Sequence, residues 1–183
     1  MPYIIEQIGR NRAHIVRQCV IVAGSIFAFA YTATLYTKGA AIYQPTVTDG
    51  ADPLGLVIKW LLLPATCVAL GIAKVAQKRL KISELITGNR PIEGSHPDID
   101  IRFLQNTVEQ ALLCLLVWPA LALSLPPMKL GIIPALAVSF VAMRLLFWAG
   151  YHIAPTLRAF GFAGTFYPTL VALVYALYLN FQA

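Results

Sequence analysis

Five apolar runs, at residues 19–37, 54–76, 101–125, 130–151 and 160–179, limit what this chain can fold into. Each is close to the roughly 20 residues that a helix needs to cross the hydrocarbon core of a bilayer. In that medium every backbone N–H and C=O must be paired inside the segment, so the runs are expected to be helices rather than open strands. With 58% hydrophobic and only 12% charged residues, a chain of 183 residues has too little polar surface to clothe a soluble domain. The expected fold class is therefore an all-α integral membrane protein, multi-pass, with the lipid bilayer as its surroundings. The net charge of +6 does not argue for nucleic acid, because the basic residues are spread through connectors instead of forming one patch with interleaved aromatics.

The connectors set the order of the spans. Residues 1–17 place Arg10, Arg12, His14 and Arg17 among Ile4, Ile5, Ile8 and Ile15, which reads as an interfacial helix leading into a retained first span rather than a cleavable signal. Residues 38–53, with Gly39, Pro45, Gly50 and Pro53, read as a loop, and residues 77–97 as a polar connector with turn chemistry. His96 beside Pro97 reads as a solvated loop residue. Pro126-Pro127 ends the third run, and the short turn after it makes the third and fourth spans an antiparallel hairpin. Cys19, Cys67 and Cys114 are isolated thiols in apolar runs, so neither a disulfide framework nor a metal site is indicated, and buried inert thiols are expected. Most Lys and Arg residues fall in the N-terminal segment, the 77–102 connector and the 151–158 turn, against Lys38, Lys59 and Lys129 on the other side. By the positive-inside rule the N-terminus is cytoplasmic, and the start of span three meets the end of span four on that side.

Residues 98–110 put charged and amide groups at the mouth of an apolar helix. At about 100° per residue, Asn106 lies about 40° to one side of Arg102 and Glu109 about 20° to the other, so one narrow face carries a cation, an amide and an anion. Charged residues inside spans cost roughly 2.5–3.5 kcal/mol each on insertion scales, and they face a bundle interior or a wet cavity. Two readings stand here: a polar pocket between helices, or a structural ion pair joining Arg102 to Glu109 or to a neighbouring helix.

A second constellation repeats the first. Arg144 and Tyr151 are seven residues apart and share one helical face with Trp148. Arg144 is the most deeply placed cation, and Glu109, the acidic residue expected inside a span, is its natural partner. That pair alone could lock spans three and four together. One carboxylate, however, does not neutralise Arg102, Arg144 and the nearby Arg158, and surplus cations in a desolvated cleft suit an anionic ligand.

The pattern Arg102-x-x-x-Asn106-x-x-Glu109, then Arg144-x-x-x-x-x-x-Tyr151, then Arg158, resembles the signature of the MAPEG family, membrane-associated proteins in eicosanoid and glutathione metabolism. The resemblance implies a MAPEG-like four-helix transmembrane domain at residues 54–183, preceded at residues 1–53 by an N-terminal interfacial segment, an extra transmembrane helix and a loop. It implies a homotrimer with glutathione in clefts between subunits near the cytoplasmic face. It assigns Arg102, Asn106, Glu109, Arg144 and Tyr151 to glutathione contact, and Lys74 to the basic position that many members place late in the preceding span. Arg158 matches the arginine that lies beside the thiol in leukotriene-forming and prostaglandin-forming members. Glutathione has two carboxylates for arginine, an ammonium for Glu109 and amides for Asn106, and a guanidinium beside its sulfur favours thiolate.

Departures from the pattern bear on the reaction. Gln110 and Phe147 stand where some members have tyrosine, and the 151–158 turn is less basic than in the prostaglandin-forming type. Three functions follow for comparison. The first is a glutathione-dependent transferase or peroxidase acting on lipophilic electrophiles that arrive laterally from the bilayer. The second is a non-catalytic member that binds lipid or glutathione, or serves as a subunit of a larger membrane complex. The third, a carrier or proton relay using Glu109 and Arg144, fits less well, since there are no paired interrupted helices in two matching halves.

Overall fold

The structure, a computed structural model, describes residues 2–44 and 52–182, without the side chains of residues 2–14, 17 and 83. Helix α1 (Pro2–Thr34) passes through a π-helical turn (Leu35–Gly39) into the short α2 (Ala40–Tyr43). Then follow α3 (Pro53–Lys81), the single turn α4 (Ser83–Ile86), α5 (His96–Ser124), a 3-10 turn (Pro127–Lys129), α6 (Ile132–Ile153) and α7 (Arg158–Gln182). Five of these stretches, Gln18–Tyr43, Pro53–Lys81, His96–Ser124, Pro127–Ile153 and Arg158–Gln182, are long and apolar enough to span a membrane. The protein is a multi-pass, all-α membrane bundle.

Helix ends follow local chemistry more closely than the apolar runs do. Asp52 caps α3 by accepting from the Leu54 and Gly55 amides at 3.2 and 2.8 Å, with Pro53 in the first turn where no intrahelical N–H is needed. At the other end the helix continues past residue 76, because Lys78, Arg79 and Lys81 sit well against the negative end of its dipole. The expected connector at 77–97 thus shrinks to α4 and two turns whose glycines, Gly88 (φ 87°) and Gly94 (φ 76°), occupy a backbone region unfavourable to other residues. Helix α5 starts at His96 and not at 101: Pro97 stands in its first turn, and Asp98 accepts from the Gly94 amide at 2.9 Å. His96 is accordingly a helix residue and not a loop residue.

The loop expected from residue 38 is also corrected. The chain stays helical to Tyr43, and α2 packs close before α6 because Gly131 carries no Cβ to collide with the Ala40 carbonyl and the Gln44 amide, so that Ala40 and Tyr43 join the core. Residues 45–51, including Pro45 and Gly50, lie outside the described residues, as do the side chains of Arg10, Arg12, His14 and Arg17. Helix α1 runs without a break from Pro2 into the first span. Cys67 and Cys114 are buried as expected, whereas Cys19 is exposed on the outer side of α1.

Helix α6 forms the centre. Its residues Ile133, Leu136 and Phe140 pack with Trp118 and Leu121 of α5 and with Ala172 of α7, all nearly inaccessible. The α6–α7 approach depends on Gly161, where a Cβ would collide with the Phe147 backbone amide and the Met143 carbonyl. The first span is stapled to this core. Tyr31 Oη and Ser139 Oγ share a hydrogen bond of 2.5 Å, Tyr36 donates to the Pro168 carbonyl at 2.9 Å, and Gln44 accepts from the Gly131 amide at 2.8 Å.

Candidate functional site

The first turns of α5, the end of α6 and the start of α7 meet at one end of the bundle, as the 3.0 Å contact between His96 Nδ1 and His152 Nδ1 and the packing of Arg158 on Tyr151 show. Three groupings of side chains arise there.

The deepest is centred on Arg144, whose side chain is fully enclosed (0% exposed). Its Nη1 donates to Asn106 Oδ1 at 2.7 Å, and its Nη2 donates to the Gly161 carbonyl at 3.2 Å and to Thr165 Oγ1. The guanidinium carbon lies 4.7 Å from the Phe147 ring centre, and Nε makes no hydrogen bond. Every acceptor is neutral. Among the described residues no carboxylate pairs with Arg144, so the expected direct contact with Glu109 is not formed within one chain. Asn106 stands between them: its Nδ2 faces Glu109 Oε2 at 3.5 Å while its Oδ1 receives the arginine. Glu109 also accepts from Gln105 Nε2 at 3.2 Å and is exposed on the outer face of α5, about 20 Å along the helix from its start.

Arg102 belongs to a second grouping. It pairs with Asp98 at 2.9 Å, one turn back on the same helix, and with Glu93 of the preceding turn at 3.2 Å. The structural ion pair considered from the sequence therefore exists, but with different partners. The early start of α5 explains this, because it adds Asp98 and Asp100 to a segment in which Glu109 was expected to be the lone carboxylate. Glu93 is 88% exposed, which makes that contact the weaker and more exchangeable one.

Tyr151 and Arg158 form the third. Tyr151 is buried edge-on against Phe147 at 5.9 Å, and the Arg158 guanidinium lies 4.5 Å from the centre of the tyrosine ring, a cation–π placement at the first residue of α7. Lys74 approaches from α3 with Nζ 5.6 Å from the Trp148 ring centre. Lys74, Trp148, Phe103, Cys67 and Arg144 line a cavity of about 250 Å³ between α3, α5 and α6.

Two functional-looking residues escaped the sequence reading. Asp100 is 3% exposed and accepts from Trp148 Nε1 at 2.8 Å and meets His152 Nε2 at 3.1 Å. Thr165 supplies a hydroxyl to Arg144. The signal for Asp100 was present in Ser95-His96-Pro97-Asp98, a cap position, a first-turn proline and a first-turn acid, which together start a helix at 96.

The fold and site together define a multi-pass helical membrane protein with a buried, uncompensated arginine and a mainly apolar cavity between its helices, which Lys74 and Arg144 help to line. A family model, the MAPEG family, matches residues 54–178, and the chain belongs to that family. It is thus a membrane protein of a family of glutathione and eicosanoid metabolism. No curated protein and no solved structure matches the chain.

Glutathione suits part of this arrangement. Arg144 has no carboxylate, Asn106 offers an amide already aligned with it, and Glu109 is a carboxylate held only by amides. Arg102 suits it less directly, since its charge is met by Asp98 and Glu93.

Proposed function

We propose that the protein binds glutathione at the Arg144 end of the bundle and acts as a glutathione-dependent transferase or peroxidase on lipophilic electrophiles drawn from the bilayer. The observation that carries this reading is Arg144, a fully buried guanidinium with neutral acceptors only. Leaving such a charge uncompensated costs several kcal/mol, and an anionic group that docks beside it recovers that cost. Family membership supports glutathione as the source of the anion.

In this reading Arg144 and Asn106 hold a carboxylate and an amide, Glu109 meets the ammonium, and Tyr151 contributes a hydrogen bond. Arg102 takes a second carboxylate by exchanging the exposed Glu93. Lys74 adds positive potential to the cavity it lines. Bound glutathione supplies a thiol that becomes a nucleophile when it loses its proton. Arg158, exposed and steadied on the Tyr151 ring, favours the thiolate charge, each pKa unit being about 1.36 kcal/mol. Glu109 and Gln105 on the outer face of α5 call for a protein neighbour rather than lipid, which supports a homotrimer with sites between subunits. The N-terminus is assigned to the cytoplasm by the basic connectors, and residues 1–53 to an addition that packs on the family's four-helix unit.

The test is turnover of a generic electrophile and of a lipid hydroperoxide by purified protein in lipid nanodiscs, with and without glutathione. Glutathione-dependent turnover supports the enzyme. Binding without turnover moves the protein to the non-catalytic, lipid- or glutathione-binding alternative, and absence of binding contradicts the reading.

A further inference from the structure

The line of side chains formed by His96, His152 and Asp100 is not used by the proposed thiol chemistry, and its geometry stands without that reading. His152 Nε2 lies 3.1 Å from Asp100 Oδ1, and His152 Nδ1 lies 3.0 Å from His96 Nδ1. The same Asp100 oxygen receives Trp148 Nε1–H at 2.8 Å. Asp100 is buried and His96 is exposed, so the line runs from the surface inward and ends on the indole that walls the α3–α5–α6 cavity. The imidazoles stack with centres 5.1 Å apart, and His152 meets the Trp148 ring edge-on at 5.7 Å.

We propose that His96, His152 and Asp100 form a one-proton relay from the bundle surface to the cavity wall, with Asp100 as the positioning residue for Trp148. The hydrogen-bond chemistry fixes the number of protons. An ionised carboxylate only accepts, so His152 carries its proton on Nε2 and, when neutral, presents a bare Nδ1. His96 then donates through Nδ1–H and leaves its own Nε2 bare toward the surface. A proton arriving at His96 Nε2 lets the Nδ1 proton pass to His152. That forms an imidazolium against the Asp100 carboxylate and leaves both hydrogen bonds intact. A second proton puts N–H groups on both facing Nδ1 atoms, and the 3.0 Å contact is lost. The cluster therefore carries one negative charge when empty and none when loaded.

The surrounding charges leave this exchange to the cluster itself. On α5, Asp98 and Arg102 pair with each other, and Glu93 of the preceding turn pairs with the same arginine. From α7, Arg158 is held on Tyr151, and from α3, Lys74 faces the opposite side of the cluster through the Trp148 ring. Loading the proton thus makes the charge beside the cavity that Lys74 and Trp148 line less negative.

Trp148 emission reports the state, because an imidazolium at the indole edge quenches it. It is isolated in full-length protein in nanodiscs as the difference between the native chain and Trp148→Phe. Between about pH 8 and 5, where histidine changes charge, we expect a single-proton loss of emission. His152→Gln is expected to abolish the step. Asp100→Asn is expected to move the step, since the counter-charge is gone. A step that survives His152→Gln, or a midpoint unmoved in Asp100→Asn, overturns the relay. If Asp100→Asn does not fold, His96→Gln at the exposed end decides the matter: loss of the shared proton must move the midpoint, and an unmoved midpoint overturns the proposal. A purely structural role changes emission equally at all pH values and also counts against it.

Discussion

Arg144 and Arg158 are both arginines near one end of the bundle, yet their surroundings give them different jobs. Arg144 is enclosed and oriented by Asn106, Gly161 and Thr165, whereas Arg158 is exposed and, among the described residues, rests on the face of Tyr151. Replacing Arg158 with Ala is therefore expected to lower glutathione-dependent turnover while leaving affinity within a few-fold, because its contribution grows as thiolate charge develops. Steady-state kinetics alongside equilibrium binding would show this, and equal loss of both would remove Arg158 from the chemistry. Arg102→Ala is expected to weaken binding modestly, by less than the about 1.5–3 kcal/mol of a free charge-assisted contact, because Glu93 already competes for it. The sequence placed Asn106 and Arg144 on facing helices near one another, and helical spacing was enough for that, but Glu109 turns to the outer face of α5 instead of meeting Arg144. The sequence did not reveal that Asp98 and Glu93 would absorb the charge of Arg102, because those acids precede the apolar run, Asp98 entering through the early start of α5 and Glu93 through the turn before it.

Among the elements, the α6–α7 contact is the one that most directly orients the site. Gly161 both permits the close approach and offers its carbonyl to Arg144. Gly161→Ala is expected to force the helices apart and to destabilise the protein by about 1–3 kcal/mol, the range for overpacking a tight contact. Thermal unfolding in detergent measures it, and an unchanged melting temperature would mean that the contact is looser than described. At α3, Asp52→Ala removes a cap and is expected to cost about 1 kcal/mol by the same assay. The existence and order of the spans were legible because membrane-length apolar runs have few other solutions. Their ends were not, since Pro97, the Lys78–Arg79–Lys81 cluster and Gly131 act through capping, dipole and packing rather than through hydrophobicity.

At the scale of the whole molecule, Glu109 and Gln105 lie exposed midway along a membrane helix, an arrangement suited to contact between copies of the chain. With one introduced thiol per subunit, Gln105→Cys is expected to give a disulfide-linked dimer in native-like membranes, and native mass spectrometry a trimer; exclusive monomer by both would contradict the assembly. The central claim, that Arg144 awaits an anion which glutathione provides, has a sharper test in Asn106→Asp. This substitution keeps the size of the side chain and sets a carboxylate at the atom that now lies 2.7 Å from the guanidinium. The chain then supplies the missing charge itself. Glutathione binding measured by calorimetry in nanodiscs is predicted to weaken by about 10–100-fold, the equivalent of one charge-assisted contact. Affinity equal to that of the native protein would contradict the account.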